Sequence, residues 1–364
     1  MKHPIGFDKL KRVVLEANRP TVHALLCREV NFMKKSVFLF IFFWIFCLDN
    51  AYGEITILAV GDVMLGRFVE AKYNGTIEVD DQIKHLFNAA DCVFGNLEAP
   101  FGNATKPITA KPINLIATKN SAKILKQLGF TVMTLANNHS MDFGLETVEE
   151  TKRILESNGI ASFGTGATII EARSPYIYTV KGFKIGFIGY SAHVLSNGNK
   201  EHAFQGVAPL DAGLIVKDVT ALKKSVNFII VSLHWGREFF CLPAEEQINL
   251  AHKIIDAGAD MILGHHPHVL QGIECYQGKL IAYSLGNFIF DQRDETTCQS
   301  IILRCTIQAA KISSVKVYPI VLEKYIPRMA KKDEAEKTYG KVSQLSRSIN
   351  GIKEKNAWVL TMDR

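Results

Sequence analysis

The segment Gly264-His265-His266-Pro267-His268 follows a largely apolar run, Ala259-Asp260-Met261-Ile262-Leu263, so three imidazoles crowd one turn at the end of a short buried strand. Neutral imidazole is the commonest metal ligand among side chains, and His-x-His in a loop off a rigid strand can aim two rings at one point. A Gly-punctuated turn after a strand is also where α/β folds place their ligands. The segment therefore points to a metal or phosphate-handling site, against the plainer reading of a solvated His-rich loop. Other segments must supply the remaining ligands.

From Glu54 onward, short β-rich runs alternate with amphipathic helical stretches, the pattern of an α/β domain. Ile55 to Val60 reads as a strand ending at Gly61-Asp62, and Cys92 to Phe94 as one running into Gly95-Asn96-Leu97-Glu98. Thr131 to Ala136 breaks at Asn137-Asn138-His139, and the fully apolar Phe228 to Leu233 ends at His234-Trp235-Gly236. Helices are expected at 81–89, 121–128, 145–157, 211–224 and 243–256, with a hairpin over 176–188 turning at Gly182. Further strands are expected at 280–284, 300–307 and 314–321. No repeat or Gly/Ser linker interrupts the chain, so one domain over 54–325 is predicted, followed by a polar, partly helical tail over 326–364.

One regularity outweighs the individual strand assignments. Asp62, Asn96 with Glu98, Asn138 with His139, His234 and the His265/His266/His268 group each lie at or just past the carboxyl end of a predicted strand. In open α/β sheets that edge is the ligand crevice, so independent segments would deliver Asp, Asn, Glu and His to one place. Any single member reads equally well as a turn residue or helix cap. The set as a whole does not.

The N-terminal part predicts export. Met33-Lys34-Lys35-Ser36 and the apolar run 37–48 form the basic and apolar regions of a secretory signal, and Ala51-Tyr52-Gly53 supplies small residues for cleavage after Gly53. An uncleaved anchor is the alternative, although the run is short for a bilayer span. Either way Glu54 onward lies outside the cytoplasm. Residues 1–32 show no targeting pattern and read as an extension from too early a start. The segment 1–53 holds eight Lys or Arg against four Asp or Glu, which leaves the exported part nearly neutral and without the basic stripe of a nucleic-acid partner. Five cysteines remain after it, an odd count without a disulfide framework, although Cys298 and Cys305 could pair across a hairpin.

In order, Gly61-Asp62-Val63-Met64, Gly95-Asn96-Leu97-Glu98, Asn137-Asn138-His139 with Asp142 and Gly144, His234-Trp235-Gly236-Arg237-Glu238, Gly264 to His268 and Ser284-Leu285-Gly286-Asn287-Phe288 closely resemble the CapA family of bacterial capsule (poly-gamma-glutamate) biosynthesis proteins. That family resembles a branch of the calcineurin-like metallophosphoesterases. The resemblance implies a four-layer α-β-β-α sandwich of metallophosphoesterase type with metal at the strand ends. It implies Asp62, Asn96, Asn138, His234, His266 and His268 as metal ligands and His139 as the catalytic imidazole. Met64 stands where that pattern has a ligand His, and Asn96 where it has a bridging Asp; a thioether is a poor ligand for hard or borderline cations, and a neutral amide offsets less charge.

A reduced site with one divalent ion (Mn, Fe or Zn) is therefore expected. His139 would protonate a leaving group, and Glu98 or Glu238 would orient water or fill the vacant ligand position. Two functions follow. One is an exported metal-dependent hydrolase or transferase acting on a phosphate-containing substrate or an anionic capsule polymer. The other is a non-catalytic polymer-binding subunit working with membrane-bound capsule synthase or export partners.

Overall fold

The computed structural model describes residues 53–108, 111–192 and 206–349, together with the backbone of 360–362. The signal-like segment 33–53 lies almost wholly outside the described residues. No helix among the described residues is long and apolar enough to cross a membrane.

In chain order the strands are β1 (Ile55–Val63), β2 (Cys92–Leu97), β3 (Val132–Thr134), β4 (Ala161–Phe163), β5 (Tyr176–Val180), β6 (Phe183–Ser191), β7 (Phe228–His234), β8 (Met261–His265), β9 (Ile273–Tyr276), β10 (Lys279–Ala282), β11 (Asn287–Ile289), β12 (Gln299–Gln308), β13 (Lys311–Glu323), β14 (Ile326–Met329) and β15 (Leu360–Met362). They form two sheets. The first runs β14-β13-β12-β1-β2-β3-β4, with β11 also on β1 and β15 on β13; the second runs β5-β6-β7-β8-β10-β9. Strands β1 to β4 are mutually parallel, as are β6, β7, β8 and β10. Strands β1 and β7 are buried along their whole length, which is why they read as near-continuous apolar runs.

The layers follow from which side chains meet. Leu58, Val60, Val93 and Met133 of the first sheet pack against Val69, Ile83, Phe87, Leu125 and Leu155 of the helices Arg67–Tyr73, Asp81–Asn88, Ala122–Leu128 and Leu145–Ser157. On the far side, Ile188, Val231 and Leu233 of the second sheet pack against Ile215, Val219, Ala251 and Ile254 of the helices Ala212–Leu222 and Glu245–Asp256. Between the sheets Phe94 of β2 stacks on Phe187 of β6 at 5.9 Å between ring centres. The result is the expected α-β-β-α sandwich. At Gly61 the backbone leading into β11 leaves no room: a Cβ there would lie 1.9 Å from the Gly286 carbonyl oxygen.

The 176–188 hairpin forms as expected, with Lys181 and Gly182 at φ 50° and 76°, the positive pair that a tight two-residue turn needs. The C-terminal part departs from expectation. Strand β14 pairs with β13, and the helix Lys332–Ser348 buries Val342 and Leu345 and receives the Ile273 N–H on the Ser346 hydroxyl at 2.9 Å. The packed unit thus continues past 325, because a mainly polar helix needs only one apolar stripe to dock. Cys298 and Cys305 are not joined: both are free thiols, as are Cys92 and Cys241.

Candidate metal centre

The parallel registers bring the carboxyl ends of the two sheets together. Asp62 sits beside Asn96 of β2 and Asn287 of β11 in the strand register, and its N–H donates to the Gly286 carbonyl at 2.9 Å. From the second sheet, His234 ends β7 and lies in register with His265, which ends β8. The turn after β8 is strained: His266 and His268 hold φ 97° and 58°, a left-handed conformation unfavourable for residues with a Cβ. Such strain persists where the surroundings over-determine it, commonly at functional turns.

Within this crevice His268 Nδ1 is 3.2 Å from Asp62 Oδ2 and 3.0 Å from Asn287 Oδ1, and its Nε2 is 3.6 Å from Glu98 Oε1. Glu98 is fully buried, and neither carboxylate oxygen receives a hydrogen bond among the described residues. A buried carboxylate in that state is costly unless a proton or a cation joins it. Burial pushes Glu98 up to about 8, with His268 opposing. Burial would lower His268, but Glu98 and Asp62 outweigh it and hold the imidazole at about 9. Burial would likewise raise Asp62, yet its hydrogen bond to His268 and the charge of that ring keep it below the usual carboxylate value.

The donor set fits a divalent ion. Ligand atoms of Asp62, Glu98 and His268 lie within 4.8 Å of one another, as do those of Glu238, His266 and His268. The rings of His234 and His266 lie 4.7 Å apart between centres, tilted by 56°, and Asn138 Oδ1 is 2.8 Å from His234 Nε2. Two carboxylates with imidazole and amide oxygen suit manganese, iron or zinc.

Asn137, to which the sequence reading gave no role of its own, sets the orientation of Asn96. Its Oδ1 accepts from the N–H of His139 at 3.0 Å and of Ser140 at 2.9 Å, so its Nδ2 must donate, to the Leu97 carbonyl at 2.7 Å and to Asn96 Oδ1 at 3.0 Å. Asn96 is then fixed with Nδ2 donating to Asp62 Oδ1 at 2.8 Å. The residue expected to bridge metals through oxygen presents its nitrogen to Asp62 instead. Met64 is buried, its sulfur accepting from the Gly66 N–H at 3.2 Å.

His139 faces the same centre, with Nδ1 on Asp142 Oδ2 at 2.7 Å and Nε2 4.0 Å from Glu98 Oε1. Burial lowers its pKa, and the Asp142 hydrogen bond and charge oppose that. The structure therefore gathers Asp62, Asn96, Glu98, Asn138, His139, His234, His266 and His268, while Glu238 stands exposed at the rim. His265 does not join them: its ring lies between the sheets beside Phe94, 5.8 Å centre to centre, with Nε2 3.3 Å from the Val60 carbonyl. Asn287 was missed as a contact of His268, although the Ser284 to Phe288 motif contained it.

The chain matches the model of the bacterial capsule synthesis protein PGA_cap family over residues 56–292. It belongs to that family. It is 32% identical over 345 residues to the PGA biosynthesis protein CapA of Bacillus subtilis (strain 168), covering 92% of this chain and 90% of that protein. To the capsule biosynthesis protein CapA of Bacillus anthracis it is 30% identical over 284 residues, covering 76% and 69%. Among solved structures, the calcineurin-like phosphoesterase YfkN of Bacillus subtilis is 14% identical with a TM-score of 0.44, covering 82% of this chain and 98% of that one. A phosphatase from Mycoplasma pneumoniae is 13% identical with a TM-score of 0.47, covering 80% and 99%. Likeness at that level says nothing of chemistry.

Proposed function

We propose that this family member serves capsule or poly-gamma-glutamate synthesis outside the cytoplasm, as a hydrolase or transferase dependent on one divalent ion. Its substrate in this reading is a phosphate ester or a linkage of an anionic polymer, and its partners are membrane-bound synthase or export subunits. The observation that carries the reading is Glu98: a fully buried carboxylate without a hydrogen-bond donor among the described residues, set between Asp62, His268 and His139. An apolar or hydrogen-bonded residue would be the ordinary filler of such a place.

Asp62, Glu98 and His268 would hold the ion, with His234, His266 and Asn138 completing its surroundings. When bound, the ion supplies Lewis acidity toward a phosphoryl or acyl oxygen and acidifies water. Asn96 restrains Asp62 by its amide hydrogen bond. His139 keeps its Nδ1 on Asp142 and turns Nε2 to the crevice, where the protonated ring can donate to a leaving oxygen. Glu238, on the rim, is placed to orient water.

The orientation of Asn96 and the sulfur at Met64 favour a second reading, a polymer-binding subunit whose crevice holds a chain without cleaving it. Complementation of a capsule-deficient deletion strain separates the two. On the proposed reading Asp62→Ala, His234→Ala and His139→Ala all fail to restore capsule. Restoration by His139→Ala alone would establish the binding module, and restoration by all three would remove the crevice from the function.

A further inference from the structure

We infer that Lys111 is a positioning residue for His139, acting by fastening both ends of the turn that carries it. The inference rests on the reading above, in which His139 is the proton donor. The Lys111 ammonium donates to the Asn138 carbonyl oxygen at 2.5 Å and forms an ion pair with Asp142 Oδ1. That oxygen takes no hydrogen bond from any other described group. The other carboxylate oxygen, Oδ2, accepts from the Leu115 N–H at 2.8 Å and meets His139 Nδ1 at 2.7 Å. The Asp142 carbonyl accepts the Ile108 N–H at 2.8 Å, and the Asp142 N–H returns to the His139 carbonyl at 3.1 Å.

One cation thus spans the residue before His139 and the residue that aims its ring. Asp142 is fully buried, and without the ammonium its Oδ1 would be left unpaired, free to turn and to draw Oδ2 away from the imidazole. Asn137 fixes the turn through Leu97 and Asn96, and Lys111 adds a separate fixation through the Asn138 carbonyl and Asp142. Outer partners that orient a metal-ligating imidazole are commonly worth about 10- to 100-fold in affinity or activity, and the same scale is expected for an orienting partner of His139.

The test is a double-mutant cycle on the full chain loaded with Mn²⁺, with bis(4-nitrophenyl) phosphate as probe. Lys111→Met keeps the aliphatic stem and should lower kcat about tenfold or more with KM within about twofold, and Lys111→Arg should restore most of it. In a His139→Ala background Lys111→Met should cost nothing further, because the residue it positions is gone. Equal losses in both backgrounds would show a merely structural counter-charge and overturn the inference. The readout independent of turnover is the ¹⁵N and ¹H spectrum of the His139 ring in folded, metal-free protein. Lys111→Met should lose the fixed, hydrogen-bonded Nδ1–H. An unchanged ring spectrum would overturn the inference even if no substrate were turned over, whereas absence of turnover with a changed spectrum would count against the hydrolase reading alone.

Discussion

Replacing Glu98 by Gln should stabilise the metal-free protein and abolish its response to metal. The carboxyl moves from its ordinary 4.5 to about 8 on folding, and burial is the main cause. A folded value above the unfolded one means that the native chain holds the proton longer. The resulting penalty is absent below about pH 4.5, grows as pH rises, and levels off above about 8. Each unit is worth about 1.4 kcal/mol, so the group costs about 1 kcal/mol at pH 5 and about 3 kcal/mol at pH 7. His268 tilts the same way, since its raised value gives a favourable contribution that is complete below about 6.5 and lost as pH passes about 9. Urea unfolding of metal-stripped wild type and Glu98→Gln at the two pH values is the assay. The variant's advantage should widen by about 2 kcal/mol from pH 5 to pH 7, and added Mn²⁺ should raise the unfolding temperature of the wild type alone. A gap that stays constant with pH, together with equal metal responses, would refute the reasoning.

His139→Ala should leave metal content nearly unchanged while lowering turnover of a phosphodiester by about 10²- to 10⁴-fold; a parallel loss of metal, measured by elemental analysis, would make His139 a ligand instead. Gly61→Ala forces a methyl group to 1.9 Å from the Gly286 carbonyl oxygen. Backbone must move to admit it, so calorimetry should show a loss of at least about 3 kcal/mol, or about 6 °C or more in Tm. An unaltered Tm would mean that the backbone beside Gly61 has slack to give.

The strand-end regularity made much of the site legible, because a chain that alternates strand and helix must deliver strand ends to one edge. Asp62, Glu98, His139, His234 and His268 were placed by that rule alone. It gave no means of separating His265 from its neighbours. Alternation along β8 sends His265 between the sheets, and only the turn that follows frees His266 and His268 to face the crevice. The direction of the Asn96 amide was equally hidden, since it depends on what Asn137 accepts and therefore donates, a matter of tertiary hydrogen bonding. Lys111 belongs to an irregular segment with no periodicity, and its partners lie 27 and 31 residues away. The end of the domain was misjudged because the helix Lys332–Ser348 is polar on most faces and docks through little more than Thr338, Val342 and Leu345.

The metal content of the purified protein tests the central claim most directly. Elemental analysis should find about one equivalent of a divalent transition metal in the wild type, because Met64 and the orientation of Asn96 leave ligands for one ion. Glu98→Gln and His268→Ala, folded by circular dichroism, should each lose it. Two equivalents in the wild type, or full retention in both variants, would contradict the account.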